Sequence, residues 1–300
     1  MFARRVLRPM LTLAVLFLAT QAPAQVARVF LSGTGDDLND CTNAATPCRS
    51  LQGAVNQCPV KGEIIITTSG GFGTATISKS LTVNAPSGVV AFNARTITVS
   101  LGYGDLVVIR GLSMNGAVFA DSYGIDFQGN GGVLVVENSI IAGFGVGINS
   151  AFSLTVHNCE LRNNTTSGIA SRGGASLMIE NSRFENNGQY GLDVAIGNGI
   201  VRNSVSTGNG TADYNVRTTT AVNLPSNVIF DRCIATKSAS GIRVEQVGQA
   251  AASVRVTNST ISDNTTGLTY VGAGTITSYG TNHLRNNGTN GTFSSTVARN

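Results

Sequence analysis

The chain has 300 residues with 36 Gly, no Trp, only 12% charged residues and 42% apolar ones. So little charge with so much Val, Ile and Leu excludes a disordered chain, and points to backbone hydrogen-bonded in sheets with Gly and Asn at the corners. The formal charge of +4 includes Arg4, Arg5 and Arg8; without them it falls to +1, so no nucleic-acid partner is expected.

Those arginines open a segment with the form of a secretory signal. An apolar run from Leu11 to Ala19 follows, then the small-residue site Ala22-Pro23-Ala24. We expect cleavage after Ala24, so that residues 1–24 are a signal peptide. The run is too short to span a bilayer and no later stretch is longer, so no membrane span is expected. The expected destination is the periplasm or the exterior of a bacterial cell.

Residues 25–62 read as a lead-in with a short helix. Five cysteines remain after processing, an odd number for an oxidising compartment. Cys41 and Cys48 bracket a short Asn/Ala/Thr/Pro loop and are expected to be bridged. A helix between Cys48 and Cys58 would hold these two about 15 Å apart, too far to pair. That helix is expected to start at Thr46 as N-cap with Pro47 at its first position. Leu51, Ala54 and Val55 would then share one side and cover the open end of the repeat region.

Residues 63–300 read as that region. One phrase recurs as Leu134-Val-Val-Glu-Asn138-Ser139, Leu154-Thr-Val-His-Asn158-Cys159 and Leu177-Met-Ile-Glu-Asn181-Ser182, with weaker copies ending at Ser204, Cys233 and Ser259. Steps of 20 to 29 residues suit one solenoid turn each. Apolar residues alternate within each copy, the mark of a strand with one buried face. Asn at the next position tolerates left-handed backbone and turns the chain, and the stacked Asn side chains are expected to form a ladder. A second phrase, Gly124-Ile125, Gly147-Ile148, Gly168-Ile169, Gly191-Leu192, Gly241-Ile242 and Gly267-Leu268, reads as a second strand with Gly outward and the branched residue inward. Cys159 and Cys233 then lie three turns apart and stay reduced.

The segment Cys48-Arg-Ser-Leu-Gln-Gly-Ala-Val55, followed by Gly62-Glu-Ile-Ile-Ile66 and Ile77-Ser-Lys-Ser-Leu-Thr-Val83, resembles the N-terminal part of pectate-lyase-like proteins. The Asn-[Ser/Cys] and Gly-[Ile/Leu] turns resemble the right-handed β-helix repeat. The resemblance implies an all-β fold, a single right-handed parallel β-helix of three sheets with side loops. It specifies architecture better than activity, since the superfamily holds lyases, hydrolases, epimerases and adhesins.

Enzymes of this kind work on an outer sheet face. With the branched residues inward, the outer rows read Asp126, Asn149, Ala170, Asp193, Arg243, Thr269 and Gln128, Ala151, Arg172, Ala195, Glu245, Val271. An irregular coil between Leu192 and Ile242 brings Arg217 near. The catalytic candidates are Asp126 and Asp193, but three turns separate them by roughly 14 Å, wide for two carboxyls flanking a glycosidic bond. Tyr123-Gly-Ile-Asp-Phe127 is similar to part of the mannuronan epimerase active-site phrase, yet Phe127 and Gln128 replace its Pro and His. The paired Asp, Gly-His-Gly and Arg-Ile-Lys motifs of polygalacturonases are absent.

Arg172, Arg217 and Arg243 with Asn149 and Gln128 are the expected substrate-binding set, because guanidinium groups take carboxylates or sulfates through paired hydrogen bonds. Ion pairs of Arg172 with Asp193 and Arg243 with Glu245 would instead leave that face neutral. The expected partner is an extracellular polysaccharide, acidic in the favoured version, bound without turnover. The alternatives are a polysaccharide lyase, hydrolase or epimerase, or an adhesin or structural spacer. No cofactor or metal is expected, calcium being required only by a lyase.

Overall fold

The computed structural model describes residues 27–174 and 176–298. The expected signal peptide and its cleavage site lie outside the described residues. The chain winds as a solenoid of parallel strands in three sheets, here numbered I, II and III, with twelve, ten and nine strands. One coil runs Val133–Glu137 in sheet I, Ile140–Ala142 in sheet II and Val146–Ser150 in sheet III. Ser153–His157 then lies beside Val133–Glu137 in parallel register and starts the next coil.

Alternation builds the core as the sequence dictates. Leu134/Val136, Leu154/Val156, Leu177/Ile179, Val228/Phe230 and Val254/Val256 are all buried, and so are Ile125, Ile148, Ile169, Leu192, Ile242 and Leu268 of sheet III. Each coil can bury this surface only by stacking on its neighbours.

Two of the three corners are fixed by left-handed residues. Between sheets I and II, Asn138, Asn158, Asn181, Asn203, Arg232 and Asn258 all have φ between 49° and 54°. The residue after each one points inward. There Ser182 and Ser204 accept hydrogen bonds from the backbone N–H of Cys159 and Ser182, and Ser259 accepts one from Cys233. The ladder of outer Asn side chains is only partial: Asn158 donates to Asn138, but Arg232 stands above Asn203 and Asn258 reaches Asp231. Exposed amides need no partner from the next coil, since water serves them equally well.

The longer amide ladder is inside, at the corner between sheets II and III. Asn164, Asn187, Asn209 and Asn264 are buried there, each after a residue of positive φ. Asn164 donates to Asn187, and Asn187 to both Asn209 and the Leu161 carbonyl. Ser238 interrupts the run between Asn209 and Asn264. Buried backbone at this turn must be satisfied by protein, and a side-chain amide has both a donor and an acceptor.

The third corner, from sheet III back to sheet I, shows no such ladder among the described residues and varies in length. The chain passes from Ser150 to Ser153 in one coil, but takes Thr218–Pro225 between Arg217 and Ser226 in another.

Three expectations are corrected. The repeat glycines face inward: a Cβ at Gly147 would lie 2.6 Å from the carbonyl oxygen of Gly168, and one at Gly168 equally close to that of Gly191. The chain bends there and brings two successive residues to the interior, which strict strand alternation forbids. The coil carrying Arg217 is regular, since Ala212–Arg217 pairs in register with Tyr190–Ala195 and Ser240–Glu245. The helix spans Leu51–Gln57 with Ser50 as N-cap, four residues later than expected. Cys48 is extended instead, donating its N–H to Phe30 and accepting from Ser32, and Asp37 accepts the N–H groups of Arg49 and Ser50. Leu51, Ala54 and Val55 do form the buried face, and Cys41 and Cys48 are bridged with Cα atoms 5.2 Å apart. Cys58, Cys159 and Cys233 are free and buried. No described helix is long and apolar enough to cross a membrane.

Candidate functional site

The outer face of sheet III carries the predicted set. Register places Asp126, Asn149, Ala170 and Asp193 on consecutive coils, then Asn215 and Arg243. Asn215 was missed by sequence reasoning because Ala212-Asp213-Tyr214 replaces the Gly-branched phrase in its coil. A neighbouring row holds Ala195, Arg217 and Glu245 in register. Gln128 and Arg172 lie at the same depth on earlier coils: Ala151 N–H bonds Phe127, and Arg172 N–H bonds Ser150.

These side chains form two groups. Asn149 donates to Asp126 at 2.8 Å. Farther along, Asp193 accepts from Asn215 at 2.8 Å and from Arg217 at 3.0 and 3.1 Å, through both carboxylate oxygens. Arg243 bridges Asn215 at 3.0 Å and Glu245 at 2.6 Å. Arg172 approaches Asp193 only to 3.8 Å and keeps 46% of its side chain exposed. The hydrogen bonds to Asp193 hold the Arg217 guanidinium above its ordinary pKa.

The phenol of Tyr190 borders this cluster, and burial raises its pKa, with Arg243, Asp193, Arg217 and Glu245 as its charged surroundings. Tyr123 occupies the matching position three coils earlier, in register through Val146 and Ser167. Both tyrosines stand immediately before the Gly-[Ile/Leu] phrase. That placement was the available signal for an aromatic edge on the face.

The arrangement bears on chemistry directly. The Asp193 side chain is 3% exposed and held by Arg217 and Asn215, so it anchors the cluster. Asp126 is the more open carboxylate, three coils away. Asp213 is the one carboxyl among the described residues pushed well up, to about 8, but it lies inside the solenoid. Burial is the main cause, opposed by hydrogen bonds from Ser238 and Asn209. No group of three or more His, Cys, Asp or Glu among the described residues could hold a metal ion; the carboxylates Asp126 and Asp193 do not converge on a calcium-sized site. His157 meets Asn181 on the exposed edge of sheet I, remote from this face.

A family model described as a right-handed β-helix region matches residues 63–206 and 144–298. The chain is a right-handed β-helix protein. No curated protein matches it in sequence. Among solved structures, this β-helix resembles the native GH136 lacto-N-biosidase from Eubacterium ramulus, at 11% identity over 90% of this chain and 67% of that one, with TM-score 0.52. It also resembles pectate lyase Pel9A, at 15% identity over 86% of this chain and 70% of that one, with TM-score 0.43. At such identities the likeness is one of fold.

Proposed function

We propose that the outer face of sheet III binds an extended polysaccharide along the solenoid axis and does not cleave it. The observation that carries this reading is the bidentate capture of Asp193 by Arg217: it withdraws the best-placed carboxylate from chemistry while leaving a firm polar surface. Asn149, Gln128 and the half-exposed Arg172 offer donors and acceptors along successive coils, about 4.8 Å apart, with Tyr123 and Tyr190 at the edge. Rigid polar groups of this kind suit sugar hydroxyls.

Arg217 and Arg243 are balanced by Asp193 and Glu245, so the acidic-polymer version rests on Arg172. Its loose contact leaves guanidinium edges for one carboxylate or sulfate. The Cys41–Cys48 bridge supports export, because such bonds persist outside the cytosol.

Affinity electrophoresis of the mature protein against neutral and acidic polysaccharides tests the reading. We expect weak binding, with the acidic component falling as salt rises. Arg172→Ala should lose most acidic binding and keep its melting temperature, since this side chain is half-exposed and loosely held. Parental binding by that variant, or no binding by the parent, overturns the proposal. Release of reducing ends or unsaturated products, abolished by Asp126→Asn, would establish the enzymatic alternative.

A further inference from the structure

The outer face of sheet I is unlike that of sheet III. Its middle column, in unbroken register over six coils, is Val108, Val135, Thr155, Met178, Ile200 and Ile229. Met178 is 52% exposed, and an apolar depression of about 310 Å³ lies around Met178, Ile200 and Ile229. Over the same six coils the column beside it reads Arg110, Glu137, His157, Glu180, Arg202 and Asp231. An apolar strip bordered by a line of charges is the composition of an interface with a polar rim.

The order of the charges identifies the occupant. From Arg110 the column runs positive, negative, imidazole, negative, positive, negative. Reversed and laid on itself, it pairs Arg110 with Asp231, Glu137 with Arg202 and His157 with Glu180, every contact being between a donor cation or imidazole and a carboxylate. We infer that this face of sheet I binds the same face of a second copy, with the two-fold axis along the strands and centred between the coils of Thr155 and Met178.

That centring is selected by charge. Moving it half a coil one way opposes Arg110 to Arg202 and Glu137 to Glu180. Moving it half a coil the other way opposes Glu137 to Asp231 and His157 to Arg202. A two-fold axis along the solenoid would swap the columns and face the charges with Leu106, Val133 and Ser153, leaving them unpaired. In the inferred register the in-chain pair of Arg110 with Glu137 meets the partner's Asp231 and the partner's Arg202, giving an alternating quartet at each end. The middle columns meet as Ile200 on Val135 and Ile229 on Val108, with Met178 on Thr155. Two such sheets stack about 10 Å apart.

Six coils at about 4.8 Å by a strand width of about 13 Å give about 400 Å² per copy, and on the order of 1,000 Å² in total with side-chain relief. That is the lower end for specific association, so the dimer should be reversible. The sheet III face stays open in it, so the dimer and the glycan reading stand or fall separately.

Sedimentation equilibrium of the mature protein, from low to high micromolar concentration, should show a monomer–dimer equilibrium. Met178→Glu should abolish the dimer while circular dichroism and the melting temperature stay parental, since this side chain is on the surface. Arg202→Glu opposes two carboxylates twice per dimer and should weaken association on the order of 30-fold. Adding Glu137→Arg restores opposite charges and should recover most of that loss. A parent that stays monomeric, a dimer indifferent to Met178→Glu, or a double charge variant no better than the single one overturns the inference.

Discussion

Asp213 occupies the position that holds glycine in six other coils, and its carboxyl is fully buried. Oδ1 accepts from Asn209 at 2.8 Å and Ser238 at 2.7 Å, while Oδ2 has no partner. Burial pushes its pKa from 3.8 up to about 8. The folded state therefore holds a proton that the unfolded chain releases above about pH 4. Stability from this group is greatest below pH 4, falls by about 1.4 kcal/mol per pH unit as pH rises, and levels off near pH 8. At pH 7 the accumulated cost is on the order of 4 kcal/mol. Asp213→Asn keeps the Oδ1 acceptor and puts an amide where the protonated oxygen stood, removing the titration. Denaturant melts of parent and variant at pH values from 4 to 9 should differ little at the acid end, with the variant gaining steadily to about pH 8. All other groups titrate alike in both proteins and cancel in the difference. Parallel curves would refute the assignment of a proton to Asp213.

Two further outcomes test the scaffold itself. Asn187→Ala removes the acceptor for Asn164 and the donor to Leu161 and Asn209; several buried groups lose partners at once, and chemical denaturation should show a loss of about 3–5 kcal/mol. Cys41→Ser/Cys48→Ser opens a short loop worth about 2 kcal/mol, and hydrogen exchange should report faster opening of Arg28–Leu31 and the helix while the central coils keep their protection.

The features legible in the sequence are those set by a single residue's own backbone or by period two. Asn at the first corner was read correctly because left-handed backbone is an intrinsic preference, and Leu134/Val136 and its copies because alternation needs no knowledge of the neighbours. The glycines were misread because strict alternation hides a bend that buries Gly147 and Ile148 together. The inner Asn ladder is not legible, since Asn163 and Asn164 are identical in sequence and only the left-handed backbone at Asn163 turns Asn164 inward. Arg217 was judged irregular for a related reason: Asp213 and Tyr214 disguise the repeat. That coil also carries Gly199 and Ser206 at positions where other coils hold Leu177 or Phe184, and the Ser206 hydroxyl donates to the Asp213 carbonyl at 3.1 Å. The sequence admits ion pairs on sheet III, but which guanidinium captures Asp193 depends on geometry between coils.

The corners also differ in what they allow to change. At two of them an inserted residue would break a ladder that continues into the coils above and below, so lengthening one turn would mismatch its neighbours as well. The corner after sheet III lacks that coupling and already accommodates the stretch from Thr218 to Pro225. It is the natural grafting point of this scaffold: a foreign loop placed there would stand as a wall between the sheet I and sheet III faces, and its length could be chosen without retuning a single coil.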